Sequence, residues 1–479
     1  MQIDISRPTF DAAKHFSSVL HLQGRALMDA DLNEQALILL HQLRTVIADL
    51  VGPAATPVDA NGSSGFLIVP APNKDPKLGD LSISPGRCYV KGILVENEVG
   101  DPDPKNSSTW LKYSTQPDGY VDLTTDHDRL PDKPFGVYLR VWERAITFVQ
   151  DPAIRDIALG DLTPDTAARA KVIWQVAVMP LDADPTTRLD TVLAGKLTEF
   201  SPRPGLLAVR ARRPLDADKD PCNVPPEAMY RGPENQLYRV EVHSGGPAWK
   251  GDVGETLGGA TFTWSREDAS VVMPIKPVKG ATVVLDTLGR DGKLGLEVGD
   301  WVEISDDASA SRVADDHSLT GDPLPAAPLL QITAIDYAAH TITLSGEVTG
   351  DVGTHPALHP LVRRWDHTSP TLFGRQRVNV ASDGALPLIE GKWIALEDGV
   401  EVMFSSPDTQ NKNPGTYRAG SYWMIPARTV TGDVEWPQDA NGPVSRPADG
   451  VAYHYAALAF VPVTGQPANV LKKIKPALM

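Results

Sequence analysis

Glycine and proline are unusually frequent in this chain, and they limit the length of any regular element. Gly 39 and Pro 42 together make 81 of the 479 residues, about 17%, where an average protein has roughly 12%. Because both residues interrupt helices and strands, short elements joined by many turns are favoured over a helical bundle. The frequency stays below the roughly 25–30% that is typical of disordered chains, and 42% hydrophobic residues suffice for packed cores. The sequence therefore predicts a folded, turn-rich protein.

Net charge, targeting patterns and cysteine spacing narrow the class of protein further. The 45 Lys and Arg residues against 61 Asp and Glu residues give a formal net charge of −16, which disfavours nucleic acid or an anionic membrane as the main partner. The first residues lack the pattern of a secretory signal, and no window approaches 18 apolar residues, so we expect assembly in the cytoplasm without direct membrane insertion. Cys88 and Cys222 have no spacing that indicates a zinc site or a disulfide framework.

One segment has the periodicity of an amphipathic helix. Between residues 31 and 50, apolar side chains recur in steps of four and three. Asp31 and Glu34 have the spacing of a capping box, and Gly52 followed by Pro53 ends the pattern. We predict that this helix packs on its own chain or on a neighbouring subunit, with a self-sufficient coiled coil as the alternative. The side chains that we expect to bind partner subunits are Leu32, Leu39, Leu43, Val46 and Leu50.

Downstream of the helix, the pattern is that of strands and turns. Short strands are predicted within residues 81–97, and longer ones at 135–149 and 171–181. The predicted fold class is mainly β and multidomain, with short-stranded β-sandwich or small β-barrel units and one N-terminal amphipathic α-helix. The predicted segments are a helical docking segment (1–56), a β-rich domain (57–200), a Pro-rich linker (201–235), a β unit (236–280), a small β-barrel (281–350) and a C-terminal β-rich domain (351–479).

Candidate metal sites are weak in this sequence, and we predict neither a metal nor a cofactor. His355 and His359 are four residues apart, but a proline follows each, so a loop is favoured over a zinc-binding helix. His367 and His454 could join them only through the tertiary fold. The acidic loop 305–322 has enough carboxylates for calcium, but a solvated surface loop is favoured over a calcium site. Nucleophile-elbow and phosphate-binding glycine motifs are missing from the sequence, which favours a non-enzymatic protein.

Aromatic residues near the C-terminus suggest a second class of function. Rings on a shared surface can stack on sugars, although aromatic residues in strands more often pack in a core. The candidate glycan-binding residues are Trp393, Tyr422, Trp423 and Trp436. Acidic residues that could assist binding or cleavage of a glycan are Glu397, Asp398, Glu401 and Glu435.

Several blocks of the sequence resemble a known family. The run from Phe10 to Gln35, and later blocks such as VWERAITFVQDP, ENQLYRVEVHSGG, ATFTWSREDASVV, LEVGDWVEISDD and YRAGSYWMIPARTV, are similar in the same order to an uncharacterised family encoded in bacterial loci for phage-tail-like contractile injection systems. This resemblance covers nearly the whole chain. It implies a structural component of the injection particle, baseplate-associated or fibre-like, without catalytic residues.

The resemblance and the helix together define the expected partners. We expect the chain to bind other subunits of a contractile injection particle, released or membrane-docked, through its N-terminal helix. A homo-oligomer is expected, and analogy with tail fibres and spikes favours a trimer. The alternative function is a module carried by the particle that binds or cleaves surface glycans.

Overall fold

The computed structural model describes residues 2–59, 62–71, 79–124, 128–160, 166–181, 188–200, 204–212, 229–250, 258–289, 291–313, 327–408, 413–462 and 465–475. Within these ranges the chain forms 31 β-strands and three α-helices, which confirms the mainly β, multidomain class predicted from the sequence. Most of the Pro-rich stretch 201–235, Cys222, and the second half of the acidic loop 305–322 lie outside the described residues.

The strands follow one another in chain order with short connections. The first eight are β1 (Ala54–Pro57), β2 (Ile68–Ala71), β3 (Asp80–Ile83), β4 (Gly86–Val90), β5 (Ile93–Asn97), β6 (Leu111–Lys112), β7 (Phe135–Ile146) and β8 (Arg169–Pro180). The next ten are β9 (Leu206–Ala211), β10 (Gln236–Val242), β11 (Gly246–Pro247), β12 (Thr261–Ser265), β13 (Val272–Lys279), β14 (Thr282–Leu285), β15 (Trp301–Ser305), β16 (Leu330–Asp336), β17 (Thr341–Leu344) and β18 (Leu361–Trp365). The last thirteen are β19 (Thr371–Phe373), β20 (Gln376–Val378), β21 (Leu386–Pro387), β22 (Ile394–Ala395), β23 (Val400–Ser405), β24 (Thr416–Tyr417), β25 (Tyr422–Arg428), β26 (Asp433–Val434), β27 (Gln438–Asp439), β28 (Gly442–Pro443), β29 (His454–Val461), β30 (Ala468–Asn469) and β31 (Lys473–Ile474).

The N-terminal helix, α1, spans Asp29–Val51, close to the predicted 31–50. Its end at Gly52 is confirmed, because the Gly52 amide closes the last turn on the Ala48 carbonyl at 2.8 Å. The predicted capping box is wrong: Met28 is the capping residue, it makes no side-chain capping bond, and Asp31 lies inside the first turn. Two further helices, α2 (Leu189–Phe200) and α3 (Asp307–Val313), lack a long apolar period and were not indicated by the sequence pattern.

Three sheets enclose the first hydrophobic core, and together they form what we call the first body. Their strand orders are β31-β1-β4-β5, β2-β3-β6 and β30-β29-β7-β8. Alternation is lost in β7, whose first eight residues are all buried, because both of its faces are covered. Leu139 faces the main core and Tyr138 faces a smaller cluster that includes Leu189 and Leu193 of α2.

Two five-stranded sheets share a second core and form a β-sandwich. Their orders are β21-β12-β10-β25-β26 and β20-β19-β22-β23-β9. Phe262 from one sheet meets Phe404 from the other edge to face, with ring centroids 4.9 Å apart, and Trp423 lies 5.9 Å from Phe404. Such contacts between facing sheets give the aromatic-rich interior its packing specificity.

Six strands close a small barrel, in the order β13-β14-β17-β16-β15-β18. Its interior is filled by aliphatic side chains such as Val283, Val302 and Ile342. A closed barrel pairs the edges that an open sheet would leave exposed, so a unit of this size can be stable with a small core.

The three units are nested, and this differs from the sequential segments predicted above. The barrel (272–365) is inserted between β12 and β19 of the sandwich, and the sandwich lies between β8 and β29 of the first body. Strand β29 pairs with β7, so segment 351–479 contributes to the barrel, the sandwich and the first body. The predicted linker contains β9, which pairs with β23. The barrel extends beyond the predicted 281–350, because β13 and β18 belong to it. Local patterns cannot reveal such pairing, because it joins strands far apart in the sequence.

Candidate functional site

The five side chains expected to bind partners, which we call the helix stripe, all lie on the solvent side of α1. Each is between 54% and 79% exposed. The opposite face packs on the chain through Ala30 and Ile38, which are buried. The helix therefore packs on its own chain with one face, while each side chain of the apolar stripe keeps more than half of its surface exposed. The members of the stripe are Leu32, Leu39, Leu43, Val46 and Leu50.

Contacts with the first body set the orientation of α1. Arg44 donates two hydrogen bonds to the Glu143 carboxylate, Nη1 to Oε2 at 2.9 Å and Nη2 to Oε1 at 2.7 Å. Lys472 Nζ donates to the carbonyl of Val51 at 2.8 Å. Gly92, in the turn between β4 and β5, lies so close to Arg44 that a Cβ at this position would overlap the Arg44 backbone. Rotation of α1 to bury the stripe would break these contacts.

The residues before α1 form an extended arm, defined here as residues 2–28. The arm runs beside the helix: the Ser6 amide donates to Asp29 Oδ2 at 3.1 Å, and the Val19 amide donates to Gln35 Oε1 at 2.8 Å. Five of its apolar side chains are 52% to 80% exposed, which is unusual for residues so close in sequence. They are Phe16, Leu20, Leu22, Leu27 and Met28. Together with the helix stripe they form what we call the arm–helix surface.

The first residues of the arm attach to the sandwich. Arg7 Nη1 pairs with Glu435 Oε1 at 2.7 Å, and Arg428 Nη2 donates to the Ser6 carbonyl at 3.2 Å. Gln2 Nε2 donates to Glu241 Oε2 at 3.2 Å. The arm is thus held at residues 2–7 by the sandwich and beyond residue 28 by the first body, with its exposed apolar residues between these attachments. Sequence reasoning missed the arm residues because they have neither helical nor strand period.

The structure does not bring the candidate glycan-binding aromatics together on an exposed surface. Tyr422, Trp423 and Trp436 are buried in or beside the sandwich core. Trp423 Nε1 donates to the Arg446 carbonyl at 3.1 Å, and the Tyr422 ring lies under the Arg239 guanidinium at 3.6 Å. Trp393 is half-buried, with Arg210 over its ring at 3.9 Å. These rings serve packing and cation–π contacts, and a stacking platform for sugars is absent from this set of residues.

The acidic residues considered with these aromatics mostly form ion pairs. Glu397 accepts two hydrogen bonds from Arg266, at 3.0 and 2.8 Å, and Glu401 accepts from Arg210 Nε at 2.7 Å. Glu435 pairs with Arg7 and with Arg428. Asp398 lies in the tight turn before β23, with a φ of +46°. Burial raises the pKa of Glu397 and of Asp398, with Arg266 opposing the rise in both.

Most of the sequence matches a protein family. The matched residues are 1–198 and 183–473, and the description of the family is "Family of unknown function (DUF6519)". The chain belongs to the DUF6519 family. No curated protein and no solved structure matches it. Membership in DUF6519 assigns no activity, so the function of the chain has to be inferred from its own residues.

The DUF6519 chain also contains a polar cavity of about 370 Å³ where the barrel meets the sandwich. Its wall includes Trp301 at the start of β15, and Arg364 and Trp365 at the end of β18. The Asp366 amide donates to the Trp264 carbonyl of β12 at 2.9 Å, which ties this end of the barrel to the sandwich. No local sequence signal indicates the cavity, because its walls come from separate strands and loops.

The predicted metal candidates do not converge on one another. His359 Nδ1 lies 2.7 Å from Asp307 Oδ2, and Asp307 also pairs with Arg144 of β7 at 2.8 Å. His355 caps a short turn, His367 lines the cavity, and His454 begins β29. Within the described ranges, no group of three or more His, Cys, Asp or Glu side chains is arranged to hold a metal ion. Likewise, no helix in the described part of the chain is long and apolar enough to cross a membrane.

Proposed function

We propose that this chain is a structural, non-enzymatic component of a phage-tail-like contractile injection particle, baseplate-associated or fibre-like in position. It binds neighbouring subunits through the arm–helix surface. The observation that carries the proposal is a set of ten exposed apolar side chains, five on the arm and five on one face of α1. A patch of this kind on a folded chain is typical of a surface that another protein covers.

The energetics favour burial of this surface in an assembly. Covering a Leu, Val, Phe or Met side chain contributes about 1.5–3 kcal/mol, so even partial burial of the ten side chains would offset the entropy lost on association. Arg44, Glu143 and Lys472 already hold α1 in place, so the helix presents the stripe without further ordering. An amphipathic helix displayed in this way fits a hydrophobic groove or a second helix.

The particle itself is proposed from the family resemblance of the sequence blocks, and the subunit arrangement from analogy with tail fibres. We propose a homotrimer in which each arm–helix surface contacts an adjacent copy or a baseplate subunit. The net charge of −16 is consistent with protein partners and disfavours nucleic acid.

The first test is the composition of the particle. Contractile particles purified from a host that encodes the chain are disassembled and their subunits identified by mass spectrometry. We expect the chain to be present at a fixed ratio to the other subunits. Its absence from intact particles would reject the proposal.

The second test addresses the surface. The double variant Leu39→Glu, Leu43→Glu should keep the free energy of unfolding within about 0.5 kcal/mol, because both residues are exposed. It should weaken self-association and incorporation about 100-fold or more, since each charge would have to be buried without a partner. Val430→Glu is the matched control, because Val430 is 94% exposed and lies outside the arm–helix surface. Measurements are light scattering after size exclusion, and particle incorporation. If the double variant assembles as the control does, another surface binds the partner.

A further inference from the structure

The cavity between the barrel and the sandwich has the size and lining of a small-molecule site. At about 370 Å³ it lies in the range of ligand pockets, which run from roughly 300 to 1,000 Å³. Its lining combines one half-buried indole, Trp301, with charged and amide side chains. Because its walls come from the barrel and from the loop that returns to the sandwich, the cavity lies at the junction between these two units. Ligand sites occur preferentially at such junctions.

In this lining Arg364 Nε, Arg364 Nη2 and His367 Nδ1 are buried and make no hydrogen bond to the described residues. Arg364 Nε has Asp366 as an ion-pair partner, which leaves two atoms, Arg364 Nη2 and His367 Nδ1. Arg364 is 3% exposed; its Nη1 donates to the Gly295 carbonyl at 2.6 Å and its Nε lies 3.1 Å from Asp366 Oδ1, but Nη2 makes no hydrogen bond. His367 is 2% exposed and its Nε2 lies 2.9 Å from the Gly384 carbonyl, whereas Nδ1 makes no hydrogen bond. An unsatisfied buried polar atom costs about 1–3 kcal/mol, so each favours a molecule that would complete it.

The two atoms require opposite partners. Arg364 Nη2 is always a donor and therefore needs an acceptor. Since a carbonyl accepts only from an N–H, the proton of the neutral His367 ring is on Nε2, and Nδ1 is an acceptor that needs a donor. A carboxylate or a phosphate ester could serve the arginine alone, and an ammonium could serve the histidine alone. A hydroxyl group can serve either, and a polyol can serve both at once.

The charges in the lining point to a neutral ligand. Glu297, Asp300 and Asp366 outnumber Arg266 and Arg364, so an anion would meet net repulsion. Carboxylates accept hydrogen bonds from hydroxyl groups, and the Trp301 ring, stacked on His367 with centroids 5.5 Å apart, supplies an aromatic wall. We propose that this cavity binds a neutral polyhydroxylated ligand, a single saccharide unit, with Arg364 as hydrogen-bond donor and His367 as acceptor. The site is separate from the arm–helix surface and from the C-terminal aromatics, and it does not depend on the proposed particle.

The test uses the full chain and a panel of defined probes. Glucose, galactose, N-acetylglucosamine and glycerol represent neutral polyols; inorganic phosphate and acetate represent anions. Binding is measured by saturation-transfer NMR and titration calorimetry. We expect at least one neutral saccharide to bind saturably and both anions to bind more weakly or not at all. Preferential binding of an anion, or the absence of saturable binding by every polyol, would overturn the proposal, the latter indicating that water alone completes the two buried atoms.

Variants locate the binding. Arg364→Met removes the donor and should weaken saccharide binding about tenfold or more, as expected for loss of a hydrogen bond from a charged group. Asp300→Asn is the second variant, for the case in which Arg364→Met does not fold. Asp300 is half-buried at the cavity wall, so its substitution should leave the fold intact. We expect several-fold weaker saccharide binding in Asp300→Asn. Arg377→Met is the matched control, because Arg377 is exposed on β20 outside the lining, and it should bind as the unmodified chain does. Binding that is unchanged in Asp300→Asn, and in Arg364→Met where this variant folds, would place the saccharide elsewhere and reject the site.

Discussion

At the scale of single residues, buried charges are paired both within and between the units of this molecule. Arg239 on β10 is 3% exposed and pairs with Glu241 at 2.5 Å and with Asp268 at 3.0 Å, while its guanidinium lies over the Tyr422 ring. Arg144 of the first body pairs with Asp307 of α3 at 2.8 Å, next to the barrel. Removing one partner of such a pair is costly, because the other charge remains buried. The Arg144–Asp307 pair therefore helps to position α3 relative to the first body.

His367 makes the stability of the protein depend on pH. Burial lowers its pKa from 6.5 to about 4; His243 lowers it further, whereas the bond to Gly384 and the carboxylates Asp366 and Asp383 oppose the decrease. As the pH falls from 6.5 to about 4, His367 becomes protonated in the unfolded chain but stays neutral in the folded chain. Its contribution therefore lowers the free energy of unfolding progressively through that window. The expected loss is roughly 3 kcal/mol in the free energy of unfolding.

Urea denaturation between pH 4 and pH 7 measures this effect. In His367→Gln the side-chain amide can still donate to Gly384, but the titrating group is gone, so the decrease toward low pH should be smaller by that amount. Equal pH dependence in the two proteins would show that His367 is not responsible.

At the scale of elements, α1 depends on a tight turn beneath it. Lys91 and Gly92 have φ values of +50° and +80° and connect β4 to β5, as expected of a two-residue hairpin turn. The alternation of buried and exposed residues in β5 keeps this hairpin in register with the first body. The turn therefore both connects the two strands of the hairpin and packs against α1 at Arg44.

Gly92→Ala should loosen α1. A Cβ would strain the turn by about 1 kcal/mol and also overlap the Arg44 backbone, so the helix must shift. We expect a lower melting temperature and faster amide hydrogen exchange in α1. Gly374→Ala is the matched control, because Gly374 has a φ of +63° but nothing within 4 Å of the added Cβ. If both variants leave exchange in α1 unchanged, the turn does not seat the helix.

At the scale of the whole molecule, the chain returns to its first body at the end. Strand β29 lies between β7 and β30, and its Ala456, Leu458 and Ala459 belong to the first core. Strands β7 and β29 are more than 300 residues apart in sequence, so their pairing needs the residues of the sandwich and the barrel to have been synthesised first. The order of assembly within the chain is therefore constrained by its nested topology.

Deletion of residues 452–479 should unfold the first body selectively. It removes one of the two strands that pair with β7 and exposes one side of the core, whereas the sandwich and barrel keep their strands. Limited proteolysis with mass spectrometry should show new cleavage between residues 54 and 180. Leu458→Ala should destabilise by about 2–5 kcal/mol, while Val470→Ala, which truncates a side chain that is 47% exposed, should change little. Unchanged protease resistance in the truncated chain would contradict this account.

The sequence by itself determined the elements that depend on local pattern. The spacing from Leu32 to Leu50 predicts α1 and its apolar stripe, the alternation at 135–149 and 171–181 predicts β7 and β8, and the frequency of glycine and proline predicts a turn-rich β protein. These features follow from backbone preferences and side-chain periods, which neighbouring residues alone define.

Only the tertiary structure decided which elements meet. It buried Tyr422, Trp423 and Trp436 in the sandwich, left the stripe and the arm exposed together, and brought Arg364 and His367 to one cavity with Trp301. It also placed β29 beside β7, so that the first body spans both ends of the described chain. Strand pairing and burial depend on residues hundreds of positions apart, and the period of a strand does not specify its partner.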